Sequence, residues 1–257
     1  MITGASSGIG YALTHYFARD GYQLVLVARD QQRLMELAKR LQTQSDISVK
    51  IIAKDLALPR SPDEIFEQLQ RDDITIQVLV NNAGFGSHGP FAEADLAEQL
   101  RLMQVNMVAL THLTRLFLPS MMAQHSGKIL NVASTAAFQP GPFMAIYYAS
   151  KAYVLSFSEA LANELRGSGV SVTALCPGPT RTEFQARAGV GHTKLMSGRI
   201  MDAESVARIG YDAFMRGQTV VIPGLRNRLL ALAVRWAPKA LVIRVVRQMQ
   251  ERRRQVG

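Results

Sequence analysis

Thr3-Gly4-Ala5-Ser6-Ser7-Gly8-Ile9-Gly10 stands behind only Met1 and Ile2, and a helical pattern through Tyr11, Leu13 and Phe17 follows it. Glycine has no Cβ to bar left-handed backbone, so Gly4, Gly8 and Gly10 allow a sharp turn and a close approach to a ligand. Ser6, Ser7 and Ile9 complete the turn. The N–H groups and dipole of the following helix would meet the charge of a pyrophosphate. The spacing is Gly-x-x-x-Gly-x-Gly, unlike the Gly-x-Gly-x-x-Gly of other dinucleotide folds, and taken alone it also reads as an ordinary Gly/Ser loop.

Outward from that turn, short apolar runs rich in β-branched residues alternate with longer amphipathic stretches. Residues 23–28, 48–53, 75–80, 128–133, 170–175 and 219–222 read as strands. Each is nearly continuous in hydrophobicity, as a strand buried on both faces must be. Residues 33–41 and 160–166 read as crossover helices. This alternation predicts an α/β fold: a single doubly wound parallel sheet of Rossmann type with helices on both faces. Residues 1–225 form the expected dinucleotide-binding catalytic domain and 226–257 a basic amphipathic helical tail. A looser stretch, 181–197, with Gly189, Gly191 and His192 and with Gly198 just beyond, reads as a surface loop or as a lid over a substrate.

The second strand ends at Ala28, where an enzyme of NAD places an acid on the ribose. Ala28 is neutral and Arg29 follows, and a guanidinium there can pair with a 2′-phosphate, which favours NADP(H). Arg29 also reads as a solvated residue opening a helix whose N-cap is Asp30, a carboxylate that would weaken phosphate binding. Asp55, with Leu56 beside it, lies just past the third strand and suits the adenine amino group.

Hydrophobic residues make up 48% of the 257 and charged residues 19%, enough to bury a sizeable core. Cys176 is the only cysteine, so no intrachain disulfide forms. Its apolar surroundings mark a strand-end core residue rather than a nucleophile. With no basic start followed by an apolar stretch, no signal peptide is expected, and the protein reads as intracellular and cytoplasmic. The first 225 residues carry 20 basic against 19 acidic side chains, and from Arg226 onward the balance is nine to one. The basicity belongs to the tail, which argues against a nucleic-acid-binding body.

Thr3-Gly4-x-x-x-Gly8-Ile9-Gly10, Asn81-Asn82-Ala83-Gly84, Asn106, Ser134, Tyr147-x-x-x-Lys151 and Pro177-Gly178 occur in this order, with Ser134 thirteen residues ahead of Tyr147. In that combination the chain resembles the short-chain dehydrogenase/reductases over residues 1–224. The resemblance implies hydride transfer between a nicotinamide and a carbonyl or secondary alcohol carbon, and a homodimer or homotetramer. Oxoacyl reductases and hydroxysteroid dehydrogenases are among the families it resembles. The usual pattern has several residues before the Gly-rich motif, so a truncated or misassigned start is expected here.

Hydride transfer builds negative charge on the carbonyl oxygen, and an acid must supply a proton. Tyrosine has a pKa of about 10. Lys151, one helical turn from Tyr147, is expected to lower it toward working pH. Tyr148 is a competing tyrosine, but only Tyr147 shares the lysine's helix face. Ser134 would donate to the substrate oxygen, in the manner of an oxyanion hole. The resemblance gives Lys151 a second task on the nicotinamide ribose and Asn106 a water that relays protons to Lys151. It sets Asn82, Ala83 and Gly84 against the adenosine half, and Pro177, Gly178, Thr180 and Thr182 over the nicotinamide. A surface Tyr–Lys pair, a strand-end serine and a helix asparagine remain the bland readings. The five histidines show no metal-ligand spacing, and there is no Gly-x-Ser-x-Gly elbow, so neither a metal nor a serine hydrolase is expected.

In the tail, Leu229, Leu232, Ala233 and Trp236 form one stripe before Pro238, and Leu241, Val242, Val245, Val246 and Met249 a second, opposite Arg244, Arg247, Glu251 and Arg254. No run reaches the roughly 18 uncharged apolar residues of a spanning helix. Such a tail reads as a helix lying on an anionic membrane surface, at the inner face of a membrane, or as one folded over the domain or a subunit interface. Together with Leu195 and Met196 it leans the substrate toward an acyl, fatty or steroid-like compound. The rival class is a dinucleotide-binding regulator or membrane adaptor without turnover.

Overall fold

The computed structural model of the chain describes residues 1–190, 193 and 200–251. Gly191, His192, Leu195, Met196, Gly198 and Arg254 lie outside the described residues. In chain order the elements are β1 (Ile2–Thr3), α1 (Gly8–Arg19), β2 (Leu24–Ala28), α2 (Gln31–Gln44), β3 (Val49–Ala53), α3 (Ser61–Arg71), β4 (Val78–Asn81), α4 (Leu96–Met103) and α5 (Leu110–Ala123). They continue with β5 (Gly127–Val132), α6 (Ala145–Glu164), β6 (Val170–Leu175), β7 (Thr180–Arg181), α7 (Phe184–Arg187), β8 (Met201–Asp202), α8 (Ala203–Met215), β9 (Val220–Val221), α9 (Leu225–Trp236) and α10 (Lys239–Gln250). A π-helical turn (Gln104–Ala109) joins α4 to α5, and a 3₁₀ turn (Thr135–Phe138) follows β5.

Seven strands form one parallel sheet in the order β3-β2-β1-β4-β5-β6-β9, as the alternating pattern predicts. The continuous strand hydrophobicity has a direct cause. Leu24, Leu26 and Ala28 pack with Phe17 of α1, Leu37 of α2 and Phe214 of α8 on one face, while Val25 and Val27 pack with Ile65 of α3 and Phe117 of α5 on the other. Both faces of the inner strands are covered, whereas the edge strand β3 is only partly buried and turns Lys50 outward to pair with Asp72 at 2.7 Å.

The strand order reverses between β1 and β4, and open α/β sheets hold their ligands in the crevice at that point. One side chain ties the two strands together there. The buried Thr3 hydroxyl donates to the Val80 carbonyl at 3.2 Å and accepts from the N–H groups of Asn82 and Ala83, each at 3.0 Å. The chain leaving β4 is thereby fixed against the Gly-rich turn.

Two helical expectations are corrected. The pattern at 160–166 marks only the end of α6, which begins at Ala145, because Ser150, Lys151 and Ser158 lie on its buried face and erase the polar-apolar contrast. In the tail, the single α10 stripe divides: Val242 and Val246 are buried, whereas Leu241, Val245 and Met249 are exposed. The inner half therefore folds over the domain, and α9 buries no residue at all. No helix among the described residues is long and apolar enough to cross a membrane.

Candidate active site

The Gly-rich turn, the ends of β2 to β6 and the start of α6 surround a cleft of about 850 Å³, within the size of a cofactor site. Gly4 and Gly8 have φ of +65° and +60°, the left-handed region. A Cβ on Gly4 would lie 2.8 Å from Asn82 Nδ2, and one on Gly8 3.2 Å from Thr182 Cγ2. Asn82 Nδ2 also donates to the carbonyls of Thr3 and Gly4, so the turn is held from across the switch point. Ser6, Ser7 and Ile9 line the cleft. Gly10 does not: it lies where a Cβ would meet Asn82 Nδ2 at 2.3 Å and the Gly4 carbonyl at 2.4 Å, so its task is packing behind the turn.

Arg29, Asp55, Leu56, Asn82, Ala83, Gly84, Pro177, Gly178, Thr180 and Thr182 all line the same cleft. Asp30 caps α2 by accepting from Arg33 N at 3.0 Å and lies 3.4 Å from the Arg33 guanidinium, so its charge is partly answered. Asp55 accepts from Ala57 N and pairs with Arg101 of α4 at 3.0 Å. An adenine amino group would share that carboxylate. Gly178 makes room for α9: a Cβ there would sit 2.6 Å from Asn227 Nδ2.

At the far end Ser134, Tyr147 and Lys151 line the cleft together. Ser134 Oγ accepts from Ala136 N at 3.1 Å and donates to the Pro177 carbonyl at 3.4 Å. The ring of Phe184, from α7, lies 5.3 Å from that of Tyr147 between centroids. Lys151 Nζ is 5.9 Å from the Tyr147 ring centroid and donates to the Val132 carbonyl at 2.8 Å. Burial pushes the Tyr147 phenol up to about 12, opposed by the nearby Ser134 hydroxyl, and pushes the Lys151 ammonium down to about 8. The expected lowering of the phenol by Lys151 is not seen among the protein's own groups, where desolvation of the phenolate is the largest influence.

Asn106 is buried in the π-helical turn and outside the cleft lining. Its Oδ1 accepts from Phe85 N at 3.1 Å, and its Nδ2 donates to Phe85 O at 3.0 Å and to Ser150 Oγ at 3.1 Å. Both N–H bonds of the carboxamide are used, so the side chain positions the strand-end loop against α6. Cys176 is fully buried, its thiol pushed up to about 12 by burial, which suits a core residue. Phe184 and Gln250 line the cleft and carry no sequence signal.

The short chain dehydrogenase family matches residues 1–191. A ketoacyl reductase, HetN, of Nostoc sp. is 32% identical over 79% of this chain and 74% of its own. Among solved structures, a short-chain dehydrogenase from Sphingobium yanoikuyae in complex with NADPH is 36% identical, covers 100% of this chain and 96% of its own, and superposes with a TM-score of 0.83. A bulky-bulky ketone specific alcohol dehydrogenase from Comamonas testosteroni is 32% identical, with 100% and 95% covered and a TM-score of 0.78.

The depressed Lys151 value has a consequence for stability. The folded chain releases this proton near pH 8 whereas the unfolded chain keeps it to about 10.5, so stability rises with pH in that window. Denaturant unfolding of the wild type should gain about 1–2 kcal/mol over Lys151→Met between pH 7.5 and 9.5. A pH-independent difference would mean that the ammonium is solvated.

Proposed function

The chain belongs to the short-chain dehydrogenase/reductase family, and we propose that Tyr147 is the acid/base with which it interconverts carbonyl compounds and secondary alcohols. It is an oxidoreductase of CH–OH groups, and its cofactor is NADP(H), which supplies or accepts the hydride when bound. The cleft fits that group: a positive-φ glycine turn precedes the α1 N-terminus, and at Gly4 a Cβ would close it.

The observation that carries the reading is the convergence of Ser134, Tyr147 and Lys151 on one cleft. Ser134 Oγ, beside the phenol, donates to the carbonyl oxygen as charge develops there. Tyr147 Oη delivers the proton. A phenol pushed up to about 12 stays protonated at neutral pH, the state in which it can act as the acid. Lys151, shifted to about 8, exchanges its proton readily near neutral pH and replenishes the phenol. It also holds the nicotinamide ribose hydroxyls. Asn106 holds the Phe85 loop and α6 in register, and a relay water would use its carbonyl oxygens.

Arg29 would read the 2′-phosphate from the end of β2, and Gly4, Ser6 to Ile9 and Thr182 would hold the pyrophosphate; Asp55, Leu56 and Asn82 to Gly84 would hold the adenosine half, and Pro177, Gly178 and Thr180 the nicotinamide. The substrate is an acyl, fatty or steroid-like ketone, a class supported by the names of the ketoacyl and bulky-ketone relatives and by the apolar walls Met144, Phe184 and Val190. A binding-only regulator would leave the Ser134, Tyr147 and Lys151 set without a task.

The tail adds a second partner. Leu225, Leu229, Leu232 and Trp236 of α9 are 56 to 81% exposed, among Arg226, Arg228 and Arg235. An apolar face flanked by arginines suits an anionic membrane surface, at the cytoplasmic face of a membrane. A second copy of the chain, as a homodimer or homotetramer, would cover the exposed Leu96 and Leu100 of α4.

Tyr147→Phe should cut NADPH-linked ketone reduction by at least about a hundredfold while leaving NADPH affinity within a few-fold; comparable turnover removes Tyr147 as the acid. Arg29→Ala should weaken NADPH about tenfold or more and leave NADH unchanged in fluorescence titrations, whereas equal weakening of both would end the phosphate assignment. Flotation with phosphatidylglycerol vesicles should carry the full chain upward and fail after deletion of residues 226–257. Unchanged binding after deletion would sink the membrane contact.

A further inference from the structure

The inner face of α10 reaches the residue next to the acid/base. Gln250, 1% exposed, lines the cleft and donates from Nε2 to the Tyr148 hydroxyl at 2.7 Å. His88 Nε2 lies 2.8 Å from the Gln250 carbonyl oxygen, Val242 and Val246 pack with Met144 and Tyr148, and the Arg247 guanidinium lies 5.1 Å from the Phe143 ring centroid. Tyr148 is itself seated by a glycine, since a Cβ on Gly141 would fall 2.2 Å from its ring. Its ring centroid is 6.0 Å from that of Tyr147.

Two hydrogen-bonding capacities are left over. Tyr148 accepts from Gln250, so its own hydroxyl proton is available to another acceptor. Gln250 Oε1 is buried and has no donor among the described residues. A buried acceptor without a donor is destabilising, and a ligand that supplies one removes the penalty. A donor and an acceptor side by side match one functional group in particular, an alcohol, which offers both a proton and lone pairs.

We infer that Tyr148 and Gln250 form a second polar point in the substrate pocket, specific for a hydroxyl group that the ketone carries away from its reacting carbonyl. This rests on the reading of the cleft as a carbonyl-reducing site and narrows its substrate class to hydroxylated apolar ketones. The tail then serves two surfaces: α9 faces outward, and α10 sets what the pocket accepts.

The test is a panel of matched ketone pairs, fused-ring and acyclic, differing only in one remote hydroxyl, with kcat/KM measured at saturating NADPH. The wild type should prefer at least one hydroxylated member over its deoxy counterpart by about tenfold or more. Tyr148→Phe and Gln250→Met should each bring that ratio toward one, chiefly through KM, with NADPH fluorescence titration showing that each variant still binds the cofactor. Absence of any preference in the wild type, as when water alone fills the point, overturns the inference, and so does a ratio that survives in both variants. A wild type that binds NADPH and reduces no member of the panel would overturn the oxidoreductase reading first and this one with it.

Discussion

Lys151 carries an ammonium group out of water, and the surrounding structure is arranged about that fact. Removing a charge from solvent is expensive unless donors and acceptors replace the lost hydration. Here the Val132 carbonyl at the end of β5 takes one of its hydrogen bonds, and a Cβ on Gly84 would lie only 3.4 Å from Nζ. Asn106 holds that loop in place through both sides of Phe85. The same desolvation that lowers the lysine raises the neighbouring phenol, so burial moves the two groups in opposite directions.

The switch point supplies the rest of the geometry. Thr3 and Asn82 bind β1, β4 and the glycine turn into one unit, and most of its capacity is met within a few residues of the sheet edge. Deeper in the sheet, Asn81 Nδ2 donates to Asn131 Oδ1 and Thr114 Oγ1, and Asn131 in turn donates to Ser158 of α6. The helix that carries Tyr147 and Lys151 is thereby joined to the strands by polar contacts rather than by apolar packing alone.

Much of this was legible in the chain. Strands covered on both faces are mostly apolar, and that pattern located six of the seven strands of the main sheet. The seventh, β1, has only Ile2 and Thr3 and too short a run to register. Ser134, Tyr147 and Lys151, picked out by type and spacing, lie together in one cleft. The length of α6 was not legible, since its buried face includes serine and lysine. The tail was half legible. Periodicity gave the helices, but which of two adjacent apolar stripes turns inward depends on the surface that receives it, here Met144, Tyr148 and Val190. Gly10 illustrates the same limit: its spacing suggests contact with a ligand, whereas its lack of a side chain serves Asn82 and Gly4.

The division of labour along α6 has a last implication. Tyr147 and Lys151 answer to the sheet, while Tyr148, one position away, answers to Gln250 at the end of α10. On the proposed reading, reactivity rests on the middle of the polypeptide and choice of reactant on its final helix. On that reading, drift in the final helix would retune which molecules are admitted while Ser134, Tyr147 and Lys151 stay as they are, so diversification would be inexpensive for the chemistry.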